Sequence, residues 1–235
     1  MRIVHLILLA ALSLLGCAKA MTEPGKDTTV NTPTTAGNGS GYLALGDSYT
    51  IGESVLPANS FPYQLGAQLK AFENPVIIAR TGWTTDELLA AINASGSKGK
   101  KFGIVTLLIG VNNQYRGYSK ETYRAEFIKL LNIAIDYAAG NVQHVFVLSI
   151  PDWGVTPFAQ GRDRWQISAE IDQFNYINKQ EADRAGVAYV NITPISKKAA
   201  NDASLTADDE LHPSGKMYRL WVDALLPIVK QHLNK

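Results

Sequence analysis

Cysteine is almost absent from this chain, because Cys17 is the only one among its 235 residues. A single thiol excludes an internal disulfide framework and a zinc site built from cysteines. Long runs of one charge are also missing, since 22 Lys and Arg residues stand against 21 Asp and Glu residues. The short basic cluster over 98–101 is interpreted as a solvated loop. Without a basic stripe or an RNA-binding signature, nucleic acid is not expected as a partner.

Two common hydrolase signatures are missing as well. The G-x-S-x-G elbow of the α/β-hydrolases does not occur in the sequence, and neither does the H-E-x-x-H motif of zinc peptidases. These absences argue against both catalytic designs.

The N-terminal residues predict an exported protein. The apolar run over 3–15 is shorter than the ~17–25 residues that span a bilayer, which favours a cleaved signal peptide over a membrane helix. The run ends in LLGC at residues 14–17, which resembles the lipobox of bacterial lipoproteins. This resemblance implies lipidation of Cys17 and a protein held in the cell envelope by its N-terminal lipid anchor alone. Ala18 gives no obvious inner-membrane retention signal, so the outer membrane is favoured. Cleavage after Ala18 or Ala20, which would leave a periplasmic protein, is the alternative.

The composition divides the chain into three parts. Residues 18–40 are rich in Thr, Gly, Pro, Asn and Ser and cannot bury enough apolar surface to offset the entropy of ordering, so they are predicted to form a flexible tether. The predicted organisation is a signal peptide over 1–17, the tether over 18–40 and a single domain over 41–235. Roughly 195 residues are enough for one well-buried domain.

Within the domain, short apolar runs alternate with longer amphipathic segments. Strands are predicted over 42–45, 75–79, 102–109, 144–150 and 187–191, and helices over 61–72, 85–94, 120–139, 168–185 and 214–233. Ser168 is predicted to cap the fourth of these helices. The strands are continuous apolar runs, which is typical of parallel strands covered on both faces. The sequence therefore predicts a three-layer α/β/α sandwich around a five-stranded parallel sheet.

Four polar or glycine positions follow predicted strands, and they should meet at one edge of the sheet. They are Ser48, Gly82, Asn112 and Asp152. Further along the chain, Asp209 precedes His212 by three residues.

A hydroxyl is a poor nucleophile at neutral pH, and a histidine oriented by a carboxylate activates it. His212 is the best candidate base by elimination, because His5 lies in the leader, His144 opens a strand and His232 lies near the C-terminus. Pro213 is expected at the first position of the last helix, where it would keep His212 out of that helix.

These residues belong to four short motifs: GDSY at 46–49, RTG at 80–82, IGVNN at 109–113 and DELH at 209–212. Together and in this order they resemble the blocks of the SGNH (GDSL) hydrolases. The resemblance implies a flavodoxin-like fold and ester hydrolysis through an acyl-serine intermediate, without a metal or cofactor. It implies Ser48, Asp209 and His212 as the catalytic residues. It also implies an oxyanion hole formed by the N–H groups of Ser48 and Gly82 and by the Asn112 side chain.

Each of these positions also has a purely structural interpretation. Ser48 could cap a helix, Gly82 could serve a turn and Asn112 could cap a loop, while Asp208 competes with Asp209 to orient the histidine. The chain also departs from the family pattern, because Tyr49 replaces the leucine of the GDSL motif and Asn113 stands where many members have aspartate.

The expected substrate is a small acyl ester, an O-acetyl group on a glycan or a lysophospholipid. Aromatic residues after the third and fourth strands, among them Tyr115, Trp153, Phe158 and Trp165, either line a substrate pocket or pack their loops onto the domain. Two other functions use the same parts: a surface lipoprotein that binds a glycan or lipid without catalysis, and an acyltransferase.

Overall fold

The computed structural model describes residues 39–234. The predicted signal peptide with Cys17, and the tether up to residue 38, lie outside the described residues. Within residues 39–234, no helix combines the length and the apolar character needed to cross a membrane.

The core of the domain is one five-stranded sheet in which every strand pairing is parallel. The strands are β1 (Tyr42–Asp47), β2 (Val76–Arg80), β3 (Ile104–Leu108), β4 (Val145–Leu148) and β5 (Ala188–Val190). Their order across the sheet is β2-β1-β3-β4-β5, the flavodoxin-like order. The predicted fold class is therefore confirmed.

Helices cover both faces of the sheet. The α-helices in chain order are α1 (Ser48–Ile51), α2 (Phe61–Leu69), α3 (Thr85–Ala94), α4 (Val111–Tyr115), α5 (Lys120–Tyr137), α6 (Arg164–Ala185), α7 (Thr193–Ser196) and α8 (Gly215–Leu233). Short 3-10 helices lie at Pro57–Asn59, Val142–His144, Trp153–Val155, Pro157–Ala159, Lys197–Ala200 and Ala203–Leu205. Helices α2 and α8 pack against each other, while α5 contacts both α3 and α6, so two separate helical layers enclose the sheet.

Burial of the strands follows their position in the sheet. Every residue of β1, β3 and β4 is buried, as continuous apolar runs predict for central strands. The edge strands β2 and β5 are only partly buried. The central strands therefore form a rigid base for the residues at their carboxyl ends.

Two helix starts differ from the sequence prediction. Helix α6 begins at Arg164 with Asp163 as its N-cap, so the prediction that Ser168 caps this helix is wrong. Ser168 instead lies inside the helix and donates a hydrogen bond to Asp152 Oδ2 at 2.6 Å. Helix α8 begins at Gly215 with Ser214 as its N-cap, so Pro213 is not its first residue. The Pro213 backbone forms an isolated antiparallel bridge with Thr206, and this bridge fixes the segment that carries His212.

Gly46 in β1 has no room for a side chain. A Cβ at this position would overlap the Leu108 carbonyl oxygen of β3 and the Thr50 hydroxyl. We expect Gly46→Ala to lower the free energy of unfolding by about 3 kcal/mol, because overpacking forces the neighbouring backbone to shift. Urea denaturation measures this change.

The double variant Gly46→Ala/Thr50→Ala is the control for this prediction. It removes the overlap with the Thr50 hydroxyl but leaves the Leu108 carbonyl and the Thr50 Cβ in place, so it should recover only part of the lost stability. Full recovery would show that the close approach of β1 and β3 is not the cause.

Candidate active site

The turn after β1 presents Ser48 at the edge of the sheet. Asp47 is the N-cap of α1, and its Oδ1 accepts a hydrogen bond from the Tyr49 N–H at 3.0 Å. Ser48 is therefore the first helical residue rather than the cap, which removes the capping interpretation of this serine. Gly52 ends the helical turn with φ +77°, a left-handed conformation that glycine adopts without strain.

His212 reaches Ser48 from a segment that lies 164 residues further along the chain. Its Nε2 lies 2.9 Å from Ser48 Oγ, and its Nδ1 lies 2.5 Å from Asp209 Oδ2. A carboxylate can only accept hydrogen bonds, so Nδ1 carries the proton and Nε2 is free to accept the Ser48 hydroxyl proton. The three side chains form a continuous hydrogen-bonded chain in the order that nucleophile activation requires.

Asp209, and not Asp208, contacts the imidazole. Its Oδ1 accepts hydrogen bonds from the backbone N–H groups of Leu211 and His212 at 3.0 and 2.9 Å. Its Oδ2 accepts a hydrogen bond from Ser54 Oγ at 2.6 Å in addition to its contact with the imidazole. Burial would raise the pKa of Asp209, but hydrogen bonds from Ser54 and His212 outweigh it and lower the pKa to about 2. The orienting group is therefore a carboxylate at neutral pH.

Ser54 is a site residue that sequence reasoning missed. It lies in the turn after α1 and meets Asp209 across a sequence separation of 155 residues. Its hydroxyl ties the nucleophile turn to the segment that holds the histidine. No local pattern in the sequence marks a serine for such a contact.

Gly82 and Asn112 lie beside Ser48 and line the same cavity. Gly82 follows β2 with φ +84°, and a Cβ there would meet nothing closer than Arg116 Nη2 at 3.6 Å. Glycine is therefore required here by the left-handed backbone conformation and not by a lack of space for a side chain. The Gly82 N–H donates no hydrogen bond within residues 39–234. Asn112 donates through Nδ2 to the Trp83 carbonyl at 3.0 Å, which leaves the second N–H of the same amide for a ligand.

Neighbouring polar contacts fix the Gly82 and Asn112 loops to each other. Arg116 Nη2 donates to the Gly82 carbonyl at 2.6 Å. The buried Asn113 accepts from the Thr85 N–H at 3.1 Å and donates to the Thr85 hydroxyl at 2.8 Å. An asparagine at position 113 thus holds α4 against the start of α3 without adding a charge near the nucleophile.

A cavity of about 230 Å³ opens directly over the hydroxyl and the imidazole. Besides Ser48, His212, Gly82 and Asn112, its lining includes the apolar or aromatic side chains of Val111, Tyr115, Trp153, Phe158 and Leu211. A chemical group bound here would touch the nucleophile, the base and two potential oxyanion donors at once.

Some residues expected at this edge do not join the cavity. Asp152 is buried as the N-cap of the 3-10 helix Trp153–Val155, where its Oδ1 accepts from the Gly154 N–H at 2.8 Å. Trp165 does not line the cavity, and 88% of its surface is exposed. Cys17, the expected lipidation site, lies outside the described residues.

The Asp47 carboxyl is deeply buried, and one of its two oxygens has no hydrogen-bond donor among the described residues. Its Oδ2 accepts no hydrogen bond from any residue in 39–234. Burial raises the pKa of this carboxyl to about 7, although the Tyr49 N–H opposes the shift. In the unfolded chain the same group ionises near pH 4. Folding therefore destabilises the charged form of the carboxyl relative to its protonated form.

The sequence matches the profile of the GDSL-like Lipase/Acylhydrolase family over residues 44–220. The matched region contains β1 and its nucleophile turn, the sheet, and the segment carrying Asp209 and His212. A search of curated proteins finds no match.

Solved structures with the same fold include several esterases. The structure titled TesA is 17% identical with a TM-score of 0.63 and covers 82% of this chain and 99% of its own. The psychrotrophic esterase EstA from Pseudoalteromonas sp. is 18% identical with a TM-score of 0.61, covering 83% of this chain and 100% of its own. The acetylxylan esterase Axe2 from Geobacillus stearothermophilus is 18% identical with a TM-score of 0.62, covering 82% and 95%.

The buried Asp47 carboxyl predicts a pH-dependent difference in stability. Because its folded-state pKa is raised to about 7, the native chain loses stability as pH rises from 4 to 7, while Asp47→Asn avoids this loss. The variant should gain about 1.4 kcal/mol relative to the native chain for each pH unit in that interval. Urea denaturation between pH 4 and 8 measures the difference.

Asp223→Asn, which changes an exposed carboxylate on α8, is the control for this series. A stability difference between Asp47→Asn and the native chain that stays constant from pH 4 to 8 would contradict the raised pKa.

Proposed function

The chain belongs to the GDSL-like lipase/acylhydrolase family and is a carboxylic ester hydrolase, and we propose that it cleaves esters of short acyl groups through an acyl-serine intermediate on Ser48. The observation that carries this proposal is the 2.9 Å contact between His212 Nε2 and Ser48 Oγ at the base of a cavity. The 2.5 Å contact between His212 Nδ1 and Asp209 Oδ2 supports the same assignment.

In the first half of the reaction, Ser48 Oγ attacks the ester carbonyl carbon while His212 Nε2 takes the hydroxyl proton. The carbonyl oxygen becomes an oxyanion, and the Asp209 carboxylate stabilises the imidazolium that forms. The tetrahedral species then breaks its bond to the alcohol oxygen. His212 returns the proton to that oxygen, so the alcohol leaves and the acyl group stays on Ser48.

The developing oxyanion needs fixed donors beside the nucleophile. We assign this role to the N–H groups of Ser48 and Gly82 and to the Asn112 side chain. The Gly82 N–H, which has no partner among the described residues, and the second N–H of the Asn112 amide support the assignment. Removing one such donor typically lowers kcat by about 10²–10³.

Hydrolysis is completed by water. His212 takes a proton from a water molecule that attacks the acyl-serine carbonyl, and the second tetrahedral species releases the carboxylic acid while Ser48 regains its proton. The mouth of the cavity gives water the same access as the departing alcohol.

Cavity size favours short acyl groups. A 150 Å³ cavity accommodates benzene, so 230 Å³ offers room for about nine non-hydrogen atoms. That space holds an acyl group of about two to four carbons with the first atoms of the alcohol. Of the ester classes expected from the sequence, a small acyl ester or an O-acetyl group on a glycan is favoured over a lysophospholipid. The same fold carries the acetylxylan esterase of Geobacillus stearothermophilus.

We also propose that the enzyme works in the bacterial cell envelope, attached through a lipid on Cys17. The proposal depends on the apolar run over 3–15 and on the LLGC sequence at 14–17.

Replacing the lipidated residue should release the protein from the membrane. We expect native protein expressed in a bacterium to incorporate an alkyne-labelled fatty acid and to sediment with the membranes, whereas Cys17→Ser does neither. Incorporation that persists in Cys17→Ser, or native protein that is never labelled, would contradict the lipid anchor.

The nucleophile assignment predicts that Ser48→Ala loses ester hydrolysis. With p-nitrophenyl acetate, kcat should fall by about 10⁴ or more, as it does when a catalytic serine is removed, while circular dichroism and the unfolding midpoint stay close to those of the native protein.

Ser204→Ala is the matched control, because Ser204 is exposed and, within residues 39–234, its hydroxyl contacts only the side chains of Asp202 and Lys216. The hydrogen bond from the Ser214 hydroxyl goes to the Ser204 backbone carbonyl, which alanine keeps. It should retain native activity. Undiminished turnover by folded Ser48→Ala would overturn the proposed mechanism, and transfer of acetate to an added alcohol in place of water would indicate an acyltransferase.

A further inference from the structure

We propose that Trp153 sets the maximum acyl length of this enzyme by separating the catalytic cavity from a second, smaller void behind it. The inference rests on the proposed esterase function, since it assigns the acyl group to the apolar end of the catalytic cavity. The proposal concerns the acyl-chain specificity of the enzyme and assigns no new reacting group.

Two cavities share a wall to which Trp153 contributes. The first is the catalytic cavity of about 230 Å³, and the second is a void of about 20 Å³, which is room for about one water molecule. Tyr49, Trp153, Leu211 and His212 are the residues that line both. On its far side, the void is bounded largely by apolar side chains, including Ala199, Leu205, Pro213 and Met217.

Of the four shared residues, Trp153 contributes the largest side chain, and it is held firmly. Only 4% of its surface is exposed. Its indole N–H donates to Gln114 Oε1 at 2.8 Å, and Gln114 Nε2 donates to Glu170 Oε2 at 2.7 Å. This chain of hydrogen bonds anchors the ring to α4 and α6, so the partition does not depend on a mobile side chain.

Ring contacts on the other side reinforce this position. Trp153 packs edgewise against Tyr115 and Phe158, with ring centroids 5.5 and 6.0 Å apart. The Arg162 guanidinium lies 5.2–5.5 Å from the centroids of all three rings, a distance at which cation–π attraction is effective. The aromatic wall is therefore preorganised before substrate binds.

The order of chemical events places the acyl group against the Trp153 side of this wall and the alcohol beside its exposed rings. The alcohol leaves and water enters while the acyl group stays on Ser48, so the alcohol must occupy the open end of the cavity. Tyr115 and Phe158 stand at that open end, with 49% and 38% of their surfaces exposed. Trp153 and Val111, at 4% and 7%, define the enclosed end, where a growing acyl chain would meet the indole.

The test compares p-nitrophenyl esters of two, four, six and eight carbons. In the native enzyme, kcat/KM should fall beyond the four-carbon ester. In Trp153→Ala the two cavities join, and kcat/KM should rise by about fourfold for each additional methylene that becomes buried. The ratio of the six-carbon to the two-carbon ester should therefore increase at least tenfold relative to the native enzyme.

Phe158→Ala is the matched control, because Phe158 belongs to the same aromatic wall but, of the two cavities, lines the catalytic one and not the void. It should change this ratio by less than threefold. Trp153→Leu opens the partition less severely and serves if the alanine variant does not fold. An unchanged ratio in a folded Trp153 variant, or an equal shift in Phe158→Ala, would overturn the proposal.

A binding measurement separates this inference from the esterase function. Thermal shifts with saturated carboxylates of two to eight carbons report the fit of the acyl product without turnover. Octanoate should stabilise the opened Trp153 variant more than the native protein. If no ester is cleaved by the native chain, the esterase proposal fails, while the carboxylate series still decides whether Trp153 limits the cavity.

Discussion

The Asp209 carboxylate is the group on which the site depends most. It accepts two backbone N–H groups of its own turn and the Ser54 hydroxyl, and it also contacts the His212 ring. These contacts fix the imidazole in one tautomer and link the C-terminal segment to the turn after β1. A free histidine at the same place would sample other rotamers and would face Ser48 only part of the time. The pKa of Asp209 is low, about 2, because its hydrogen-bond partners stabilise the charged form.

The parallel sheet supplies the rest of the arrangement. Because β1 lies between β2 and β3, the carboxyl ends of three adjacent strands deliver Ser48, Gly82 and Asn112 to one edge, at the point where the chain reverses its direction across the sheet. The overlap that any Cβ at Gly46 would cause shows how closely β1 and β3 approach just below the nucleophile. The central strands thus position the reacting groups, and the loops above them carry the residues that select the substrate.

The parts of this site that carry a local signal were predictable from sequence. Apolar runs located the strands, and the short motifs located Ser48 and the Asp209–His212 pair. Contacts that depend on tertiary packing were not predictable: Ser54 meets Asp209 across 155 residues, and Gln114 holds Trp153 across 39. The sequence left Asp208 and Asp209 as alternatives, and only the folded turn shows that Asp209 is the one in contact with the imidazole. Ser168 was misassigned because Asp163, five residues before it, is the N-cap that forms.

The most direct test of the account is labelling by a fluorophosphonate, which reacts preferentially with an activated serine. Peptide mapping of the labelled native protein should find the phosphonyl group on Ser48. The labelling rate should fall by at least 10³ in His212→Ala, because the hydroxyl then lacks the base that takes its proton. Labelling at another residue, or a rate that does not depend on His212, would contradict the claim that these two side chains share a proton.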